Sequence, residues 1–244
     1  MDNSLPEPIY VTVACVLFGF DGTDFFVLLT PRLPNQAKGL AKKEFSLPAD
    51  IVRIDENVDD VAARIAQRFI GVVPPTLSQF KVFGDPSQYQ TEKNNEWIAS
   101  QLKERDISVR MICIAYLSTF RISLDKHEIK GSMIKWCHLK QLSSLNFDHP
   151  FIVEDALDCV KKKMLVNPCF LYDLLMPYFT ATELRKLVEI VMAKKMDVRN
   201  FYKKMEARRY LVPTDKKEKD VAHRAARYYK FDADIFRKQE EEYY

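Results

Sequence analysis

The period of the apolar positions changes several times along this chain, and each change marks an element. Residues 10–20 form a continuous β-branched and aromatic run. An Asp-Gly pair at 21–22 interrupts it and residues 25–30 resume it, which predicts a hairpin. Short apolar stretches at 45–47 and 51–53 flank a proline-containing loop. The spacing then lengthens. Val58, Val61, Ala62, Ile65 and Phe69 recur every three or four residues, predicting a helix over 58–70 with Ile65 and Phe69 toward a core. Asn57, followed by Asp60, is a short-armed capping box at its start. Asp60 and Arg64 are spaced to pair on its surface, and Arg64 and Arg68 read as solvated helix charges. Strands are expected over 77–83, 109–122 and 134–138, with a polar loop between the first two carrying a short helix over 96–103. A loop or brief helical turn over 139–145 precedes a helix over 150–165. That helix is acidic early and lysine-rich late, as the helix dipole favours.

A second pattern begins near Asn167-Pro168. Residues 171–178 read as helical. Thr180 with Glu183 opens another helix, which buries Leu184, Leu187, Val188 and Val191 and runs to about Met192. A turn over 193–196 leads to a helix capped by Asp197, with Phe201 and Met205 inward. A short strand at 210–212, a charged loop over 213–224 and a return strand over 226–231 complete a helix–turn–helix–hairpin order, that of a winged helix. The division is therefore 8–165 and 166–235, with a charged tail over 236–244. The fold class is α/β: an α/β/α sandwich, then a small α+β winged helix domain.

Composition narrows the class. The 244 residues suffice for two ordinary domains. The longest apolar run is too short to span a bilayer, and MDNSLPEPIY lacks the basic-then-apolar order of a secretory leader, so a cytoplasmic location is expected. Five scattered cysteines contain no CxxC pair, and the four histidines have no ligand spacing. No metal site, cofactor or disulfide framework is expected. The net charge of +3 is unevenly placed. From Lys161 onward there are 20 Lys and Arg against 13 Asp and Glu, a net of +7, while the preceding residues carry −4. A basic second domain fits an anionic partner, although a salt-balanced surface would give similar numbers.

One segment carries chemistry by what it lacks. Residues 47–72 read LPADIVRIDENVDDVAARIAQRFIGV. Set on Glu56, Arg64 and Gly71, they resemble the Nudix signature G-x5-E-x7-R-E-U-x-E-E-x-G-U without a gap. The three later glutamates, which hold the divalent metal in Nudix hydrolases, fall on Ile65, Arg68 and Phe69, and the first glycine falls on Asp50. Hard divalent cations need oxygen ligands; Ile65 and Phe69 offer none, and Arg68 places a positive charge where the signature places a negative one. Catalytic residues are therefore none, and the Nudix-like domain reads as a sensor. A hydrolase using Glu56 and nearby aspartates as non-standard ligands remains the competing enzyme reading.

The C-terminal segment FTATELRKLVEIVMAKKMDVRNFYKKM, above all DVRNF at 197–201, is similar to the Nudix-related transcriptional regulators, the NrtR and AraR-type repressors. NFDHP at 146–150 and YYKF at 228–231 also resemble landmarks of that family. The resemblance implies a homodimer that binds a palindromic double-stranded operator as a repressor and releases it on binding a small molecule. The candidate DNA contacts are Arg199 and Asn200 toward base edges, with Tyr202, Lys203, Lys204, Arg224 and Arg227 toward the backbone. The candidate effector contacts are Arg32, Asp50, Arg53 and Arg110. Arginines there suit a sugar phosphate or ADP-ribose-like ligand, a sugar being the uncharged variant; surface ion pairing is the plainer alternative. A winged helix that has turned to binding protein is the third reading.

Overall fold

The computed structural model of the chain describes residues 9–31, 45–86, 110–122, 134–142, 145, 149–218 and 225–241. The expected short helix over 96–103 lies outside them. The chain divides into two compact units: Met1–Phe18, Phe26–Thr119 and Lys126–Ala156 form one, and Gly19–Phe25, Phe120–Asp125 and Leu157–Tyr244 the other.

The first unit is organised by a seven-stranded sheet of β1 (Ile9–Phe20), β2 (Phe25–Pro31), β3 (Phe45–Ser46), β4 (Ala49–Ile51), β5 (Ser78–Phe83), β6 (Arg110–Arg121) and β7 (Lys135–His138). The main path runs β3-β2-β1-β6-β5, with β4 joined to β1 and β7 to β2. β4 is antiparallel to β1 and places Asp50 opposite Val13; β5 is antiparallel to β6. Val13 to Phe18 are wholly buried, which explains why β1 reads as a continuous apolar run rather than an alternation. Helix α1 (Val58–Ile70) buries Val61, Ala62, Ile65 and Ala66. Phe69 is only half-buried, its ring lying 5.2 Å from the Arg68 guanidinium carbon, so the core stripe is narrower than the spacing predicts. The Asn57 side chain caps α1 by accepting the Asp59 and Asp60 N–H groups. Gly71 ends it at φ 75°, a left-handed conformation that favours glycine and returns its N–H to Gln67 O at 3.0 Å. A single 3-10 turn, Leu139–Gln141, stands in the expected 139–145 loop, and α2 (His149–Val166) follows.

The second unit carries a three-stranded sheet in the order β8-β10-β9, from β8 (Phe179–Thr180), β9 (Leu211–Lys217) and β10 (Arg227–Phe231). Helices α3 (Ala181–Val191), α4 (Val198–Glu206) and α5 (Ala233–Glu241) accompany it. Its centre is aromatic: Tyr172 stacks on Phe231 with centroids 4.2 Å apart, and Tyr210 meets Phe236 edge-on at 5.1 Å. Three expectations change here. The segment expected to be helical over 171–178 is a 3-10 helix, Pro168–Leu174, because Pro177 follows and Phe179 pairs with Tyr229 in the sheet. The first wing strand continues to Lys217 instead of ending at 212, since Pro213 pairs with Tyr229 and Lys217 with Arg227. The expected charged tail begins within α5, whose Phe236 is buried and closes the aromatic cluster.

Candidate nucleic-acid interface and the degenerate Nudix box

The turn between α3 and α4 is fastened from inside. Glu189 on α3 is 6% exposed and accepts the Met196 N–H at 2.9 Å, Arg185 Nη1 at 2.7 Å and Lys195 Nζ at 3.4 Å. Those bonds, the Met196 N–H foremost, hold its carboxyl below the usual glutamate range. Ala193 turns the chain at φ 50°, and Asp197 then caps α4 by accepting the Asn200 N–H at 2.8 Å. Only Met205 of α4 is fully buried. Residues 199 and 203 lie on the opposite face at i, i+4 spacing, both exposed, with Glu206 one turn further along that face.

The structure thus brings Arg199 and Lys203 together on one outward face. Asn200 and Lys204 are exposed on its flanks. Tyr202 is half-buried and lines an open groove with the exposed Arg227 of the wing. Arg224 lies outside the described residues. Glu206 was not singled out by sequence reasoning; burial first, and then the nearby Glu206 carboxylate, push the Tyr229 hydroxyl up. Glu189 and Lys186 were passed over as well. Glu189 carried no sequence signal, since it lies off the stripe of Leu184, Leu187, Val188 and Val191 and is covered by the turn that follows α3.

The Nudix-like box is knit together by Arg64. Its Nε and Nη2 each donate to a Glu56 oxygen at 3.0 Å, and Nη1 donates to Asp50 Oδ2 at 2.5 Å. This corrects two expectations: Arg64 is not a solvated charge, and its partners are Asp50 and Glu56 rather than Asp60. The Asp50 and Glu56 bonds hold Arg64 more firmly protonated, and the Arg64 bond pulls Glu56 down. Asp50, a candidate effector contact, therefore has its carboxylate engaged. Arg53 is exposed, and its backbone N–H donates to Glu56 at 3.3 Å. Arg110 is half-buried at the start of β6, and its Nη1 is covered yet has no hydrogen-bond partner among the described residues. Arg32 lies outside the described residues. Ile65 is 2% exposed in the core, so the first metal-binding position of the box is committed to packing. Asp59, next in line as an oxygen donor, accepts the Tyr116 hydroxyl, and Tyr116 is pushed up by burial and by that carboxylate. Among the described residues no cluster of three His, Cys, Asp or Glu could hold a metal ion, and no helix is long and apolar enough to cross a membrane.

Residues 171–231 match the family model of the NrtR DNA-binding winged helix domain. Over those residues the chain is similar to that winged helix domain. Solved structures extend the likeness in fold to nearly the whole chain. NrtR from Shewanella oneidensis, in a crystal structure with a 27mer DNA, is 24% identical with a TM-score of 0.64, covering 92% of this chain and 94% of that one. A MutT/nudix family protein from Enterococcus faecalis is 21% identical with a TM-score of 0.59, covering 92% and 88%. A comparison with curated protein sequences found no match. The chain is thus NrtR-like in architecture, a Nudix-type α/β domain followed by an NrtR-type winged helix.

Proposed function

We propose that the protein is a ligand-responsive, DNA-binding transcriptional regulator. The observation that carries this reading is the outward face of α4, where Arg199 and Lys203 project from a helix whose orientation is fixed by Glu189 within an NrtR-type winged helix. Arg199 in the first turn suits a guanine edge, and Lys203 one turn on suits a phosphate. The likeness in fold to a protein crystallised with DNA supports the same reading. The protein acts as a cytoplasmic homodimer and a repressor.

The Nudix-like domain is its sensor, with hydrolysis lost. Ile65 and Phe69 supply no metal ligand, and Asp50 and Glu56 are held by Arg64. Its effector is a sugar phosphate or ADP-ribose-like anion. The support is Arg110, whose Nη1 has no acceptor among the described residues, a role such a ligand would fill. Incubation with ADP-ribose and Mg²⁺ should release no product; metal-dependent cleavage would restore the hydrolase reading.

Selection of bound fragments from a random double-stranded pool tests the DNA reading. The expected result is an enriched palindrome. Arg199→Ala should lose discrimination between that palindrome and random sequence. Lys203→Ala should weaken binding to every sequence and lower its salt dependence. Absence of any enrichment, with both variants behaving as wild type, would leave the winged helix as a protein-binding module.

A further inference from the structure

The outward face of α4 carries one charge of the wrong sign for a surface that meets a polyanion. Residues 199, 203 and 206 recur at i, i+4 and i+7, which sets Arg199, Lys203 and Glu206 in one exposed row along the helix. Asn200 and Lys204 flank the row, and Arg208 and Arg209 follow it, all exposed. Glu206 is the one carboxylate of α4 and stands within this run of cations. It makes no ion pair with any of them among the described residues. Its carboxylate lies near the wing. Burial first, and then Glu206, push the Tyr229 hydroxyl up, while Arg227 pulls it back. Tyr229 sits on β10, opposite Pro213 of β9. The carboxylate therefore stands where the helix and the wing converge.

A negative charge in that position weakens any contact with phosphate, since like charges repel. Only a hydrogen-bond donor offsets the cost. An ionised carboxylate accepts and never donates. In the major groove guanine offers it two acceptors and thymine one, and adenine sets an acceptor beside its amine. Cytosine N4 is the donor that suits it. Seven positions separate Arg199 from Glu206, about 10 Å of helix, or about three base pairs along the duplex. We infer that Glu206 is a specificity-determining residue, whose carboxylate accepts a hydrogen bond from the N4 amine of a cytosine within about three base pairs of the base met by Arg199. The inference rests on the DNA-binding reading above and adds to it which base the far end of α4 reads. The same carboxylate repels the phosphates of DNA bound out of register.

Glu206→Gln keeps the shape of an exposed side chain and removes its charge. Glutamine prefers adenine, through N6 and N7. Fragment selection is run on the full wild-type chain, on Glu206→Gln and on Arg199→Ala, and affinity is measured for the selected and for random duplexes. The enriched sequence should change at one position, from cytosine toward adenine, within about three base pairs of the position that Arg199→Ala relaxes. Affinity for random duplex should rise, and the ratio of selected to random affinity should fall about tenfold. A charge with no base contact would raise both affinities by one factor and leave the enriched sequence unchanged. That result, or an enriched sequence with no cytosine at that distance, overturns the inference while the DNA-binding reading stands. If the wild type enriches no sequence, the two fall together.

Discussion

Glu189 concentrates at one residue the coupling between sequence and recognition. Its carboxylate is nearly covered, and one of its donors is a backbone amide, Met196 N–H, that fixes the chain just before the Asp197 cap. Arg185, 20% exposed, contributes more than Lys195, which is 94% exposed and screened. Glu189→Ala leaves the Met196 N–H and a cation without an acceptor, so a loss of about 1–3 kcal/mol is expected. The recognition helix should lose its setting before the domain unfolds. The ratio of specific to random-duplex affinity should then drop more than the random-duplex affinity itself. Glu189→Gln keeps an acceptor for Met196 and should recover most of the ratio. The pH dependence has a definite sign. Glu189 binds its proton less readily folded than unfolded, so its contribution is complete above the ordinary glutamate range. It is lost as pH falls through the lowered folded value. Acid titration of thermal stability should show a shallower decline in Glu189→Gln than in wild type; parallel curves would mean the carboxylate is not the group responsible.

Helix α4 shows why an element needs more than propensity. It has nine residues, one fully buried side chain and a largely polar surface, too little to stand as an isolated helix. Its N-cap and the turn before it supply what packing does not. Asp197→Ala should cost about 1 kcal/mol and speed hydrogen exchange at the Asn200 amide, loosening the turn that carries Arg199. Exchange unchanged from wild type would show that tertiary contacts alone hold the helix. This element was legible in the sequence because its signals are local: Thr180 with Glu183, the turn, then Asp197. Helix α1 was legible for the same reason, from Asn57 through its apolar spacing to Gly71. The partners of Arg64 were not. Asp50 lies fourteen residues away, and a strand pairing with β1 sets its position, while the i, i+4 rule points to Asp60. Helix α5 was missed because charges dominate it and only Phe236 anchors it, a weak periodicity that reads as a tail. Of the candidate site, the outward residues of α4 could be read from sequence. The groove could not, since its walls come from segments more than 150 residues apart.

For the whole molecule, the proposed regulation makes a thermodynamic demand. A ligand in the Nudix-like domain can weaken DNA binding only if it binds the DNA-free form more tightly than the DNA-bound form. The coupling is reciprocal: whatever factor the effector takes from DNA affinity, DNA must take from effector affinity. The second unit is not confined to the C-terminal sequence, for it includes Gly19–Phe25 and Phe120–Asp125, the end of β1 with its turn and the end of β6. Within it Arg121 lies 3.7 Å from Glu183, the residue that closes the cap of α3. β6 begins at Arg110, the candidate effector contact whose Nη1 has no partner among the described residues, and ends at Arg121. One strand therefore carries both the residue proposed to meet the effector and the residue that meets the helix-turn-helix. Arg110→Ala should reduce effector affinity while leaving effector-free DNA binding intact. Arg121→Ala should leave effector affinity intact and shrink the coupling factor toward one. Titrating ADP-ribose with and without the selected duplex, and the duplex with and without ADP-ribose, measures that factor twice. Equal factors that collapse together in Arg121→Ala would place the linkage on β6. Full coupling in that variant would exclude Arg121 from it.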